Sequence, residues 1–315
     1  MNDMENNINL SSMGSMNESI TKSVRKVRLK FIMRMFFITF ISIVLIFVVI
    51  PNIFQGIYYS KMDSYIRMMA NLTQFKSPVS VIGHRTKPEF FQTEVGVITN
   101  AYESSRTGVY LQGEATTILK PPSMKIDYDE IYGTSFYKEP TENNLLELRT
   151  ILDHNDKQVA IINISFKKEK SIQEIKEYLR NYKIKISWLA ITTGLEFSHS
   201  SNVSMSEGSQ YRQFGIPTKT ISTKTFEKLV LDFNNPEDYI KFIKEELKWS
   251  LNHKDLVKKS SDMFIFQEME NVLKTDFMIY GMTIIGTSDE LSKLCENEDI
   301  AYGQITGFYP WDIIE

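Results

Sequence analysis

Cysteine is almost missing from this sequence: Cys295 is the only one in 315 residues. That excludes an intrachain disulfide and any metal centre built on several thiolates. Histidine is sparse as well. His84, His154, His199 and His253 are scattered, and none has a second histidine three or four residues away, the spacing that puts two ligands on one helical face. The chain has no G-x-S-x-G elbow, no H-E-x-x-H, no P-loop, and no S-x-x-K with the companion motifs of penicillin-binding enzymes. No catalytic, cofactor-binding or metal-binding residue is nominated, and no cofactor is implied.

Strong charge of one sign is lacking too. The net charge is −3, unevenly spread. Residues 1–59 carry six basic residues (Lys22, Arg25, Lys26, Arg28, Lys30, Arg34) against Asp3, Glu5 and Glu18, a balance of +3 that leaves −6 on the rest. A mildly acidic body without a basic stripe argues against nucleic acid as a partner. Asp127, Asp129 and Glu130 sit close together in "KIDYDEIYG", but a calcium loop needs D-x-[DN]-x-[DN]-G and a distal glutamate, so this reads as a solvated turn. The triplets "NLT", "NIS" and "NVS" at 71, 163 and 202 match glycosylation acceptors; such triplets arise by chance, and "NIS" falls in a predicted strand. His199, flanked by serines in "FSHSSN", reads as a solvated loop histidine, because neighbours in sequence are not a triad.

What is present is a long hydrophobic run. Between Arg34 and Lys61 lie 26 residues without a charge. About twenty apolar residues in a helix cross a hydrocarbon core of roughly 30 Å, and residues 35–55 meet that requirement. A soluble core helix seldom stays apolar on every face for so long. A cleaved signal needs a short apolar region and a small-residue site, and "PNIFQGIYY" supplies none. The stretch reads as an uncleaved anchor. The six basic residues before it set orientation by the positive-inside rule: N-terminus in the cytoplasm, residues beyond about 58 outside. Arg34 can snorkel to the inner headgroups, and Tyr58 and Tyr59 suit the outer interface.

Apolar content of 42% and aromatic content of 12% fit folded protein, and the length allows about two domains. Residues 1–21, polar and rich in Asn, Ser and Met, read as disordered or as a segment that orders on a partner. Residues 57–72 continue as a juxtamembrane helix with Met62, Ile66 and Met69 at helical spacing. Strand candidates follow at 94–99 and 107–112 in a β-rich region. "QVAIINISF" (158–166) is a strand. Ser171 and Glu174 form a capping box for a helix with the stripe Ile172, Ile175 and Leu179. "KISWLAIT" (185–192) is the next strand, making a β-α-β unit. Residues 194–219 read as a Ser-rich loop or insert. Asn235 caps and Pro236 begins a long helix whose buried face is Ile240, Ile243, Leu247 and Leu251. A shorter helix covers about 263–274. A strand at 278–286, a helix at 288–295 with Thr287 and Glu290 at capping-box spacing, and a strand at 302–310 complete the order. Cys295, four residues after Leu291 on the same apolar face, reads as a small buried hydrophobe.

The expected fold class is a single-pass membrane protein with an extracytoplasmic α/β or α+β domain, helices packed on a mixed sheet; a ferredoxin-like split arrangement is one form it can take. The expected divisions are a short cytoplasmic tail (1–30), a transmembrane helix (31–56), a juxtamembrane helix and β-rich region (57–150) and an α/β domain (151–315).

Two passages carry a resemblance: "SVRKVRLKFIMRMFFITFISIVLIF" (23–47) leading into "IYYSKMDSYIRMM", and "FMIYGMTIIGTSDELSKLCENEDIAYGQITGFYPWD" (277–312). Together they resemble the membrane-bound sigma factor regulators of Gram-positive bacteria, anti-sigma factors with paired N-terminal and C-terminal regulator domains. The resemblance implies a cytoplasmic segment that restrains an extracytoplasmic-function sigma factor and an outer domain that receives an envelope signal. This chain departs from the pattern. Its tail of about thirty residues has no His/Cys zinc motif and no room for a folded sigma-binding domain; a short helix near 17–30 docking in a groove is one reading, and basic residues that serve topology alone are the other. The partners implied are the lipid bilayer and a sigma factor or another membrane regulator; the oligomeric state is not legible. The resemblance implies a non-enzymatic regulator. The alternative is an extracytoplasmic anchored enzyme or envelope-assembly factor with no legible active site.

Overall fold

The computed structural model describes residues 2–78, 80–89, 92–103, 110–119, 125–126, 144–155, 158–195, 213–221, 228–258 and 264–310. They fall into two compact units, Met1–Ser60 and Lys61–Glu315.

The first unit is helical. Helix α1 runs Asn2–Val44, followed by a π-helical turn at Leu45–Val49 and the start of α2 (Ile50–Lys76). Disorder over residues 1–21 is therefore not what the structure shows. The costly step in helix formation is nucleation, and a tail with no proline before Pro51 simply propagates the apolar helix backwards. The wide turn has a local cause. Pro51 has no N–H to donate and its ring crowds the preceding turn, so the backbone loosens there. The Ile50 N–H reaches back to the Leu45 carbonyl, and Asn52 Nδ2 donates to the Val48 carbonyl at 2.7 Å. Phe36, Ile41 and Phe47 are all more than half exposed, and Ser19–Ile53 is long and apolar enough to cross a bilayer. The chain is a single-pass membrane protein.

The second unit opens with the remainder of α2, then an antiparallel meander of β1 (Ser80–Glu89), β2 (Gln92–Glu103) and β3 (Tyr110–Leu119). Next come α3 (Asn144–His154), β4 (Gln158–Lys170), α4 (Ile172–Asn181) and β5 (Lys185–Ile191). Short strands β6 (Gly215–Pro217), β7 (Lys219–Ile221) and β8 (Lys228–Val230) lead to α5 (Glu237–Asn252) and α6 (Phe264–Lys274). Strand β9 (Ile279–Thr287), α7 (Ser288–Leu294) and β10 (Ile300–Pro310) close the order.

The main sheet has the order β10-β4-β9-β5-β6, and every neighbouring pair in it is antiparallel. Strand β9 thus lies between β4 and β5, and β4 lies between β9 and β10. Each β-α-β unit is split by a strand of the other, which is the ferredoxin-like arrangement. The sheet is antiparallel, not mixed, and the class is α+β. Residues 192–278 are an insertion between the second and third strands of that core.

Alternation along the strands sets the two faces. On one face a Cβ at Gly286 would meet Ile184 and Leu291, and one at Gly303 would meet Leu148, so α3 and α7 cover it. Helix α4 joins them through Tyr178, whose ring lies 5.3 Å from that of Phe166. The opposite face carries Val159, Ile161 and Ile285 with Tyr309 against them, and the buried cluster Trp188, Ala190 and Tyr280. The Trp188 indole donates to the Gln74 carbonyl of α2 at 2.9 Å, which sets α2 on this second face.

Several local readings are met and several shift. The Ser171–Glu174 capping box forms as read, but Tyr178, not Leu179, completes the buried stripe with Ile172 and Ile175. At α7 only half a box forms: Thr287 accepts from the Glu290 N–H, while the Glu290 carboxylate turns to the Lys183 N–H at 3.1 Å. Helix α5 starts after Pro236, with no side-chain cap from Asn235. Its turn is instead set by Asp232, whose carboxylate accepts from the Asn234 N–H at 2.8 Å. The supposed loop 194–219 ends in strand, since β6 and the first residue of β7 lie within it. The short β6 fits against β5 only because Gly215 has no side chain to meet Leu189 and Trp188.

Candidate functional site

Helix α2 enters the second unit as an apolar helix and is then buried on nearly every side. Met62, Ile66 and Met69 are buried as their spacing implies, and Met68, Leu72 and Phe75 have no exposed surface. Phe75 stacks on Phe214, ring centroids 5.5 Å apart. A helix buried all round carries its polar residues inside with it, and each buried polar group must find a partner or cost free energy. Asn71, Thr73, Gln74 and Lys76 are all at most 2% exposed, so this segment holds a polar seam in a dry place.

The seam starts at Arg67. Its guanidinium grips Glu246 of α5 with two bonds, Nε to Oε2 at 2.8 Å and Nη2 to Oε1 at 2.7 Å. That fork-on-carboxylate geometry is the strong form of the interaction. The same guanidinium lies 4.3 Å from the centre of the Trp249 ring, and Trp249 stacks on His253 at 4.2 Å. Asn71 Nδ2 donates to Glu246 Oε2 at 3.0 Å and to Ser250 Oγ at 2.9 Å. Gln74 Nε2 donates to Asn71 Oδ1 at 3.1 Å, and Thr220 Oγ1 of β7 donates to Gln74 Oε1 at 2.7 Å. At the far end Lys76 Nζ lies 2.7 Å from Glu268 Oε2 of α6, with both side chains at most 3% exposed. Gln213 Nε2 donates to the Lys76 carbonyl at 2.9 Å.

The partners named here outside α2 come from Trp188 of β5 or from the insertion. The arrangement does not activate a nucleophile or assemble ligands; among the described residues no group of three His, Cys, Asp or Glu side chains stands close enough to hold a metal ion. Its chemistry is positional. Buried ion pairs and amides fix the register of a helix because any other register strands a charge in a dry interior.

The residues considered from sequence scatter in the structure. His84 is exposed on β1, and His154 Nδ1 lies 2.6 Å from the Thr150 carbonyl oxygen one turn back. His253 Nδ1 lies 2.8 Å from the Trp249 carbonyl oxygen beneath its stacked ring. His199, Asp127, Asp129, Glu130 and Asn202 lie outside the described residues. Asn71 and Asn163 are buried, and Thr283 Oγ1 donates to Asn163 Oδ1 at 2.7 Å, so both serve the interior rather than a glycan. Cys295 is buried at the end of α7.

The seam itself is not nominated from sequence. Glu246 and Glu268 look like ordinary polar positions of amphipathic helices. A signal was there: Glu246 lies between Ile243 and Leu247 on the buried side of α5, where a solvated glutamate has no reason to sit.

Residues 152–306 match the family model described as sigma factor regulator C-terminal. Over that segment, just under half of the chain, the protein is similar to the sigma factor regulators. The matched segment begins at Leu152 in α3 and ends at Thr306 in β10. It contains the split sheet except the last four residues of β10, and the whole insertion, hence one side of the seam. The other side, α2, precedes it. Neither a curated protein nor a solved structure matches the chain.

Proposed function

We propose that this protein is a membrane-anchored restraint on an extracytoplasmic-function sigma factor, with its tail in the cytoplasm and residues 61–315 outside as a sensing or docking domain. The match of residues 152–306 to the sigma factor regulator family carries this reading. Residues 57–150 take the part of the N-terminal regulator region and 151–315 that of the C-terminal one.

Two features of the first unit support it. Six basic residues precede the uncharged run, which favours retention of that end in the cytoplasm. The same stretch is amphipathic once it is helical. Ile20, Val24, Val27 and Phe31 recur at i, i+4, i+7 and i+11, and each is 45–67% exposed. Lys22, Lys26 and Lys30 fall on the other side. An apolar stripe backed by basic residues is the form in which a short helix enters a groove on a partner.

The test joins topology with binding. A reporter active only outside the membrane is fused to the C-terminus, and the tagged full chain is purified in detergent. An active reporter and co-purification of a sigma factor, lost in V24D/V27D, are expected. An inactive reporter on a well-expressed protein refutes the orientation; no sigma factor with either protein refutes the partner.

A further inference from the structure

The seam between α2 and the insertion is built unlike the rest of the core. Elsewhere the second unit buries mainly Ile, Val, Leu and Phe, with polar groups in ones and twos such as Ser165 and the Asn163–Thr283 pair. Over Lys61–Lys76 the closed state instead holds two ion pairs, Arg67–Glu246 and Lys76–Glu268, and a chain of amides. It also leaves polar atoms unsatisfied. Thr73 Oγ1, Ser77 Oγ and Gln213 Oε1 are buried with no hydrogen-bond partner among the described residues. All three belong to the inner end of the seam, where Gln213 meets the Lys76 carbonyl.

Buried polar atoms without partners are a cost the folded state carries, and water would relieve it. Apolar replacement of a buried ion pair is often neutral or stabilising, so two such pairs are not the most stable filling for this slot. The apolar contacts in the slot are soft as well. Met62, Met68 and Met69 are three of the buried side chains of the segment, and methionine repacks at little cost. The pairs also grade from wet to dry: the Arg67 side chain is 21% exposed and the Lys76 side chain 3%, so water has an entry end.

We propose that the Lys61–Lys76 segment is a latch. It is held in the insertion by polar contacts that regain water on release, and it disengages as a unit while the sheet of β4, β5, β9 and β10 stays folded. Local opening of this kind has a lower free energy than global unfolding and shows in amide exchange. The proposal concerns the second unit alone and does not rest on which partner the tail binds.

The experiment is hydrogen exchange on the full chain in lipid nanodiscs, with no sigma factor present, so its outcome is separate from that of the binding test. Amides of residues 65–76 are expected to exchange at least about tenfold faster than those of β4 and β9. The variant K76M/E268L replaces the driest pair by apolar side chains, and T73V removes one unsatisfied hydroxyl with almost no change of shape. Each is expected to slow exchange over 65–76 severalfold and to leave β4 and β9 unchanged. If K76M/E268L does not fold, T73V decides alone. Equal exchange of α2 and the sheet in the unaltered protein overturns the latch. So does T73V exchange identical to that of the unaltered protein, or a slowing that affects helix and sheet alike.

Discussion

Cys295 ends the last turn of α7, its N–H bonded to the Leu291 carbonyl at 3.0 Å and its thiol enclosed. Burial pushes the thiol up to about 12 from an ordinary value of 9.0; Arg149 nearby works against that shift and Asp153 with it. The thiolate is the reactive form, so the folded protein holds this sulfur inert. Maleimide at pH 8 is expected to leave Cys295 unmodified in the folded chain and to modify it fully in urea, as read by intact mass. Stability follows from the same shift. Below pH 9 the thiol is neutral in both states and its burial costs nothing electrostatic. Above pH 9 the unfolded thiol ionises while the folded one does not, so its contribution falls between pH 9 and about 12. C295V is expected to melt with a shallower decline from pH 8 to pH 10.5 than the unaltered protein. The decline does not vanish, because burial also raises Tyr178 and Tyr239, and these act in the same direction.

Among the elements, β6 is three residues long and owes its place to one of them. Ala190 of β5 faces Gly215, where an added Cβ would run into the Leu189 carbonyl and come within 2.5 Å of Trp188 Cζ2. Backbone cannot yield as a side chain can. Gly303 gives the contrast: a Cβ there meets the end of Leu148, which has rotamers to spare. Overpacking typically costs about 1–3 kcal/mol. G215A is expected to reach or exceed the top of that range and G303A the bottom, measured as urea midpoints at a common slope. The same contrast separates what could be read in the sequence from what could not. Caps at Ser171 and Thr287 and the β-branched strands β4 and β9 are local signals, complete within ten residues. Strand order is not local: β4 pairs with β9 across more than 100 residues, so the split of each β-α-β unit leaves no mark in either. Strand β6 sits at the end of a Ser-rich stretch, without alternation to announce it. The polar seam is hidden for a related reason. Arg67 and Glu246 are 179 residues apart, and a charge on a helix looks solvated until its partner is known.

For the whole molecule, the family match and the folding unit do not coincide. The match runs from 152 to 306, yet Tyr65, Met68, Leu72 and Phe75 of α2 are at most 2% exposed in the core of the second unit. Burying a side chain of that size contributes about 1.5–3 kcal/mol. Four of them together supply roughly 6–12 kcal/mol, which is as much as the net stability of an entire domain, about 5–15 kcal/mol. The loss would not end there. Without α2, Glu246 and Glu268 also lose their ion pairs with Arg67 and Lys76, and the slot that held the helix opens to water. A chain of residues 61–315 is therefore expected to be soluble and to melt in one cooperative transition. A chain of residues 79–315 is expected to keep the sheet of β4, β5, β9 and β10 but to bind hydrophobic dye at its open slot and to melt well below 61–315, even though it contains the entire matched segment. Adding a peptide of residues 61–78 to the shorter chain during refolding should raise its melting temperature toward that of 61–315, because the slot and the helix that fills it are then both present. A cooperative melt of 79–315 alone, at the temperature found for 61–315, would mean that α2 only rests on the domain and is not part of its core.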